Sequence, residues 1–159
     1  SAFTMDGNLN PKAFEPYVQR TVGFGEAIKR AYKNYFNFSG RASLSEYWWF
    51  TLYANIVSMI ACSLMMASPF MFKNQVVDAY LPLFWSVIFG AIFVATIVLN
   101  LPGLSLLVRR LHDIGKGGGW IFISFVPFIG GIWLLVLTLQ PSEPYANRFG
   151  PIPNAQPLA

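Results

Sequence analysis

The sequence predicts an all-α, polytopic helical membrane protein, and two observations lead to this fold class. Residues 47–72, 79–108 and 117–142 contain no Asp, Glu, Lys or Arg. Each stretch exceeds the roughly 20 helical residues that cross a hydrocarbon core about 30 Å thick. The 159-residue chain is also 55% hydrophobic and only 11% charged, whereas soluble domains carry about 25% charged residues. A soluble core of this size could not bury so much apolar surface.

We expect three transmembrane helices, at about 46–68, 80–108 and 119–140. The first should begin near Ser43, because Ser43 and Glu46 have the spacing of a capping box. The second is longer than a bilayer requires, and Pro102 followed by Gly103 marks the expected kink. The sequence therefore defines the first two crossings by length and by local signals at their ends.

The third apolar stretch has two interpretations. A continuous helix over 119–140 would cross the membrane and place the tail, 141–159, on the far side. Pro127 and the Gly130-Gly131 pair interrupt the stretch, so a re-entrant segment that returns the tail to the near side is the alternative. The tail is rich in proline and should be extended, unless it docks on the helices.

A short amphipathic helix is predicted before the first crossing. Its apolar positions follow helical spacing and are Ile28, Ala31, Tyr32, Tyr35 and Phe36. Its polar positions are Lys29, Arg30, Lys33 and Asn34. A basic amphipathic helix next to a crossing is typical of a helix that lies in the membrane interface, and an ordinary soluble helix is the alternative.

The distribution of basic residues predicts the orientation. Lys and Arg number six before the first apolar stretch, one in the 69–79 loop, three in the 109–119 loop and one in the tail. With three crossings, this alternation obeys the positive-inside rule. We therefore expect the N-terminus and the 109–119 loop to face the cytoplasm.

This orientation brings charged residues from distant segments to one membrane face. The candidate cluster consists of Arg41, Glu46, Arg109, Arg110, His112, Asp113 and Lys116. Helical spacing allows Asp113 to pair with Arg110 at i, i+3 or with Arg109 at i, i+4. Three roles are open: an ion-pair network that locks helix ends, a basic pocket for a phosphate or anionic headgroup, and acid–base catalysis by His112.

Four motifs in order along the chain resemble a known family. They are Phe38-Ser39-Gly40-Arg41-Ala42-Ser43 with Glu46-Tyr47-Trp48-Trp49-Phe50, Arg109-Arg110-Leu111-His112-Asp113-Ile114-Gly115-Lys116, Pro127-Phe128-Ile129-Gly130, and Asn147-Arg148-Phe149-Gly150-Pro151. Together they resemble the DUF805 (YhaH-like) family of small bacterial inner-membrane proteins over residues 34–153. Residues 1–33 are an N-terminal extension outside the resemblance, and residues 154–159, the end of the tail, also lie outside it. The resemblance implies a multi-pass inner-membrane protein, implies no established reaction, and adds Asn147 and Arg148 to the candidates.

The favoured function is binding of an anionic lipid headgroup, a phosphate group or a protein partner at the cytoplasmic cluster. One alternative is an oligomeric small-solute transporter or channel, although the apolar stretches hold few ionisable groups for such a pathway. Another is a membrane enzyme that uses His112 and Asp113. Cys62 is the single cysteine and His112 the single histidine, so no metal or cofactor is expected. Because the basic residues flank apolar stretches, we expect anionic lipid rather than nucleic acid as the partner, with a homo-oligomer possible.

Overall fold

The computed structural model describes residues 5–8, 17–71 and 80–158. In these ranges the chain forms five α-helices, one 3₁₀ helix and two short strands. In chain order they are β1 (Tyr17–Gln19), α1 (Phe24–Lys33), α2 (Leu44–Met71), α3 (Leu81–Asn100), α4 (Pro102–Asp113), the 3₁₀ helix (Gly118–Phe125), α5 (Ile129–Leu139) and β2 (Ala155–Pro157). Lys73 and Asp78, in the predicted 69–79 loop, lie outside the described residues.

The chain divides into two compact units. Thr51–Leu101 forms one of them, which we call the apolar unit. Its described residues include no Asp, Glu, Lys or Arg, and many of its large apolar side chains are exposed, among them Met66, Leu83 and Val87. Segments Ser1–Phe50 and Pro102–Ala159 form the second, which we call the polar unit. Exposed apolar surface of this extent is typical of a protein surrounded by lipid.

The first two predicted crossings coincide with helical stretches long and apolar enough to span a membrane, Leu44–Ala67 and Leu83–Asp113. Helix α2 begins where predicted, since the backbone amide of Glu46 donates to Ser43 Oγ at 3.4 Å. It continues to Met71, past the predicted end at residue 68. The regular helix is interrupted at Leu101, directly before Pro102, because proline has no amide to donate to the preceding turn.

The third apolar stretch does not form the single helix predicted over 119–140. It is divided into the 3₁₀ helix and α5, which are joined by a turn at 126–128. Pro127 lies in this turn, and Phe128 has a φ of 65°, a left-handed conformation that ends a regular helix. Helix α5 has 11 residues and is therefore about 16 Å long, roughly half of what a crossing requires.

Helix α1 packs into the polar unit through small side chains. Ala27 and Ala31 are fully buried, and α1 contacts α4. The ring of Tyr32 lies edge-on to that of Phe50, with centroids 6.2 Å apart. The amphipathic pattern is therefore real, although the helix begins at Phe24 and ends at Lys33, earlier than predicted. Its location in the membrane interface remains a prediction.

The tail docks on the N-terminal segment. Strands β1 and β2 pair antiparallel, with Val18 opposite Gln156, and the amide of Arg20 donates to the carbonyl of Asn154 at 2.9 Å. The tail is thus part of the polar unit.

Candidate functional site

Asp113 is the centre of a buried charge cluster in the polar unit. It is the last residue of α4 and is fully buried. Its Oδ1 accepts from Arg41 Nε at 3.0 Å, while its Oδ2 accepts from Arg110 Nη1 and from Ser142 Oγ. One carboxylate is therefore shared by two guanidinium groups from distant segments. We call Arg41, Arg110, Asp113 and Ser142 the Asp113 cluster.

The remaining donors of the two arginines bind backbone carbonyls. Arg41 donates to the carbonyl oxygens of Tyr145 at 2.8 Å and Glu143 at 2.9 Å. Arg110 donates from Nε to the carbonyl of Thr138 at 3.2 Å and from Nη2 to that of Gln140. Every guanidinium nitrogen of Arg41 and Arg110 thus has an acceptor within the protein. This arrangement matches the predicted ion-pair network that locks helix ends together.

Arg109 belongs to a second, adjoining network. Helical spacing allowed it to pair with Asp113, but its Nη1 instead donates to Glu46 Oε1 at 3.3 Å. Glu46 Oε2 lies 3.8 Å from Arg30 Nη1, so α1, α2 and α4 meet through charges. Arg109 is only 4% exposed, and its Nε and Nη2 have no hydrogen-bond partner within the described part of the chain.

The second network reaches the surface at Glu26. Its carboxylate lies 2.8 Å from Arg20 Nη2 and 2.7 Å from Arg30 Nη2. The hydrogen bond from Arg20, together with the charges of both arginines, holds the pKa of Glu26 below its ordinary value. Cations and carboxylates therefore alternate from the surface inward to Arg109, with three arginines to two glutamates.

His112 is held in place by the tail. Its ring stacks on that of Phe149, with centroids 3.8 Å apart and planes 3° from parallel. Its Nδ1 lies 3.0 Å from the carbonyl oxygen of Gly40, and Asn147 Nδ2 donates to the His112 carbonyl at 2.8 Å. The contacts of His112 thus join the second and fourth family-like motifs to the first. The Asp113 carboxylate, which the enzyme hypothesis requires, is engaged by arginines.

Lys116 and Arg148 differ from the buried arginines. Arg148 is exposed and Lys116 partly exposed, and neither forms an ion pair with any residue that the structure describes. Lys116 Nζ lies 5.1 Å from the centroid of the Trp120 ring, and the Arg148 guanidinium lies 4.6 Å from that of Phe149. An open groove of about 460 Å³ is lined by Gly117, Gly119, Trp120, Ile123 and Arg148.

The motifs that meet around Asp113 are those of a known family. The family profile described as "Protein of unknown function (DUF805)" matches residues 35–151. The chain belongs to the DUF805 family. The inner membrane protein YhaI of Escherichia coli (strain K12) is 38% identical over 118 residues, which cover 74% of this chain and 86% of YhaI. The inner membrane protein YhaH of the same strain is 34% identical over 128 residues, which cover 79% of this chain and 93% of YhaH. No solved structure gives a significant match.

The family match confirms the resemblance based on the motifs. It also supports the predicted class of inner-membrane protein, because both relatives carry that description. In this DUF805 protein, all nine predicted site residues lie in the polar unit. The buried ones among them bind one another or the backbone, whereas Arg148 lines the groove and Lys116 lies over the ring of Trp120, which also lines it.

Several groups that bind the predicted site residues were not themselves predicted from the sequence. Ser142 and the backbone carbonyls of residues 138, 140, 143 and 145 carry no sequence signal, because any residue supplies a carbonyl. Phe149 could have been found, since it lies between Arg148 and Gly150 in the family-like tail motif. An aromatic ring beside a motif arginine is typical of stacking.

Gly115 lies in the loop between α4 and the 3₁₀ helix, and its substitution tests how this loop packs against the tail. It has a φ of +76°, and an added Cβ would lie 2.3 Å from Glu143 Oε1. We expect Gly115→Ala to destabilise the protein by at least about 1–2 kcal/mol, the cost of a left-handed alanine. Gly119→Ala is the matched control, because its Cβ would meet nothing within 4 Å. Thermal unfolding in detergent measures both, and equal melting temperatures would contradict the contact.

Proposed function

We propose that this DUF805 protein binds phosphate-bearing, anionic lipid headgroups at the groove beside Lys116 and Arg148. The observation that carries the proposal is the contrast between two sets of cations. Arg41 and Arg110 already bind acceptors within the protein, whereas Lys116 and Arg148 form no ion pair with a described residue. The proposal narrows the nine predicted site residues to Lys116 from the cluster and Arg148 from the tail motif.

The chemistry of the groove suits a phosphate group. Arginine presents a planar fork of donors that binds two phosphate oxygens at once, and the Phe149 ring, 4.6 Å away, supports the guanidinium of Arg148. Lysine adds a second positive charge. Gly117 and Gly119, which line the groove, have no side chains and so leave the backbone open to a ligand.

The position of the groove in the chain suits a lipid headgroup. Trp120 lines the groove and begins an uncharged stretch that continues to residue 142. Tryptophan prefers the headgroup level of a bilayer, and basic residues at this level attract anionic lipids. We place the groove on the cytoplasmic face, since the preceding segments carry most of the Lys and Arg.

Native mass spectrometry of the protein in mixed lipids tests this function. We expect Lys116→Gln combined with Arg148→Gln to lower retention of phosphatidylglycerol relative to phosphatidylcholine. Each cation near an anionic surface contributes about 1 kcal/mol, so the pair should change retention by roughly 30-fold.

The matched control is Lys29→Gln combined with Lys33→Gln, which removes the same charge from the exposed face of α1. We expect this control to lose less phosphatidylglycerol than the variant at Lys116 and Arg148 does. If both double variants lost the same amount of anionic lipid, binding would follow net charge alone, and the groove would not be the site.

A further inference from the structure

We propose that residues 118–139 form a hairpin that inserts into the hydrocarbon of one membrane leaflet and returns to the same face. The chain then crosses the bilayer twice, with both termini on one side. This inference concerns the lipid tails rather than the headgroups, and so goes beyond the proposed function. Four features support it: the positions of the two ends of the hairpin, the lengths of its two arms (the 3₁₀ helix and α5), its exposed apolar surface and the hydrogen bonds of its turn.

Both ends of the hairpin lie beside α4. At its start, a Cβ on Gly118 would lie 3.1 Å from Val108 Cγ1. At its end, the carbonyl of Thr138 accepts from Arg110 Nε at 3.2 Å. The chain therefore leaves α4 and comes back to it within the polar unit.

The two arms of the hairpin are the 3₁₀ helix and α5, and they pack closely against each other. An ideal Cβ on Gly130 would lie 1.8 Å from the carbonyl oxygen of Ile123, so the backbones of α5 and the 3₁₀ helix touch. The 3₁₀ helix has 8 residues at about 2.0 Å each, and α5 has 11 at about 1.5 Å each. Each arm is about 16 Å long, close to half of a hydrocarbon core of about 30 Å.

The surface of the hairpin is apolar and exposed. Its most exposed rings are Phe122 at 70%, Phe125 at 77% and Phe128 at 93%. Phe125 directly precedes the turn, and Phe128 lies in it. No Asp, Glu, Lys or Arg occurs between residues 117 and 142. Aromatic surface of this kind is costly to expose to water. Each arm is about as long as one leaflet is thick, and the cations Lys116 and Arg148 lie near the first residues of the hairpin. We therefore assign the exposed surface to contact with lipid rather than with a second protein.

The turn is compatible with insertion because its backbone donors are largely satisfied. The amide of Val126 donates to Ile123 at 3.0 Å, that of Ile129 to Pro127 at 2.8 Å, and that of Gly130 to Val126 at 3.0 Å. Pro127 has no amide to satisfy. Unpaired backbone groups are the main barrier to a turn within hydrocarbon, and these bonds remove much of that barrier.

The polar unit adds an independent argument for two crossings. The pairing of β1 with β2 joins residues that precede the first crossing to residues that follow the hairpin. Phe50 and Gly103, at the two junctions with the apolar unit, also approach each other, with a Gly103 Cβ 3.3 Å from the Phe50 ring. Two crossings satisfy both contacts, whereas a third crossing after residue 118 would keep the approach of Phe50 to Gly103 but would separate β1 from β2.

Site-directed labelling tests the proposal in oriented membrane vesicles. In a Cys62→Ser background, the single variants are Lys29→Cys, Phe128→Cys and Leu158→Cys, all at exposed positions. With a membrane-impermeant maleimide, we expect Lys29→Cys and Leu158→Cys to react from the same face. We expect Phe128→Cys to react from neither face until detergent is added. Reaction of the first two from opposite faces would overturn the two crossings, and reaction of Phe128→Cys in intact vesicles would overturn insertion.

A second measurement does not depend on cysteine reactivity. An environment-sensitive fluorophore at Phe128→Cys should be quenched more by lipids brominated near the end of the acyl chain than by lipids brominated near the headgroup. The reverse order would place the turn at the surface and overturn the proposal. Adding Lys116→Gln and Arg148→Gln should leave this order unchanged, which separates the hairpin from headgroup binding.

Discussion

Asp113→Asn is expected to destabilise the polar unit by about 3–5 kcal/mol, the cost of leaving a buried charge without its partner. The Asp113 side chain is fully buried between Arg41 and Arg110. Asparagine has nearly the same shape but no negative charge, so both guanidinium groups would remain buried and uncompensated. Because Arg41 also binds the tail carbonyls of Tyr145 and Glu143, the tail should lose its docking site.

Thermal unfolding in detergent, together with limited proteolysis of the tail, measures this effect. Glu26→Gln is the matched control, since Glu26 also pairs with two arginines but at the surface. Surface ion pairs contribute little to stability, so the control should melt close to the unaltered protein. If Asp113→Asn melted no lower than Glu26→Gln, the Asp113 cluster would not hold the unit together.

Gly130→Ala should have the second largest effect. The new methyl group would lie 1.8 Å from the carbonyl oxygen of Ile123, and a backbone atom cannot rotate away as a flexible side chain can. Overpacking of a tight contact costs about 1–3 kcal/mol, and an overlap this deep should reach the upper end of that range. The arms would have to separate, which would expose the backbone of the turn.

Gly131→Ala is a sensitive control because it is the next residue in the same helix. Its added methyl group would meet nothing within 4 Å, and alanine is about 1 kcal/mol more favourable than glycine in a helix. We therefore expect the two alanine variants to shift the melting temperature in opposite directions. A loss of stability in both would point to a general intolerance of α5 rather than to the contact with Ile123.

The two long apolar helical stretches could be predicted because their signals are local. Length and apolar composition define α2 and α3, the hydroxyl of Ser43 caps the start of α2, and Pro102 interrupts the helix where its missing amide requires. None of these features depends on distant residues. The predicted helices accordingly agree closely with the structure over residues 43–71 and 80–113.

The third apolar stretch could not be assigned from local signals. Pro127 and Gly130-Gly131 indicated a break, but a kinked helix that crosses has the same signals as a hairpin that returns. The contact of Gly130 with Ile123 and the bonds of Arg110 with Thr138 and Gln140 support the hairpin that we propose. Such long-range contacts are not visible in hydropathy or composition.

The candidate site could likewise be predicted only in part from the sequence. The motifs identified which charged residues gather, and Arg110 pairs with Asp113 at the predicted i, i+3 spacing. The sequence did not predict that Arg109 pairs with Glu46, nor that Arg41 binds tail carbonyls. Those choices depend on tertiary geometry, because a carbonyl is present at every position.

The strand pair between β1 and β2 determines when during synthesis the polar unit can be completed. Val18 leaves the ribosome early, but its partner Gln156 is made after both long helices. Arg41 likewise waits for the carbonyls of Glu143 and Tyr145. A nascent chain released before residue 143 would carry these groups without their acceptors, so a premature stop codon in this short tail should yield a product open to quality-control proteases. The segment from residue 143 to residue 157 thus completes the assembly of the polar unit.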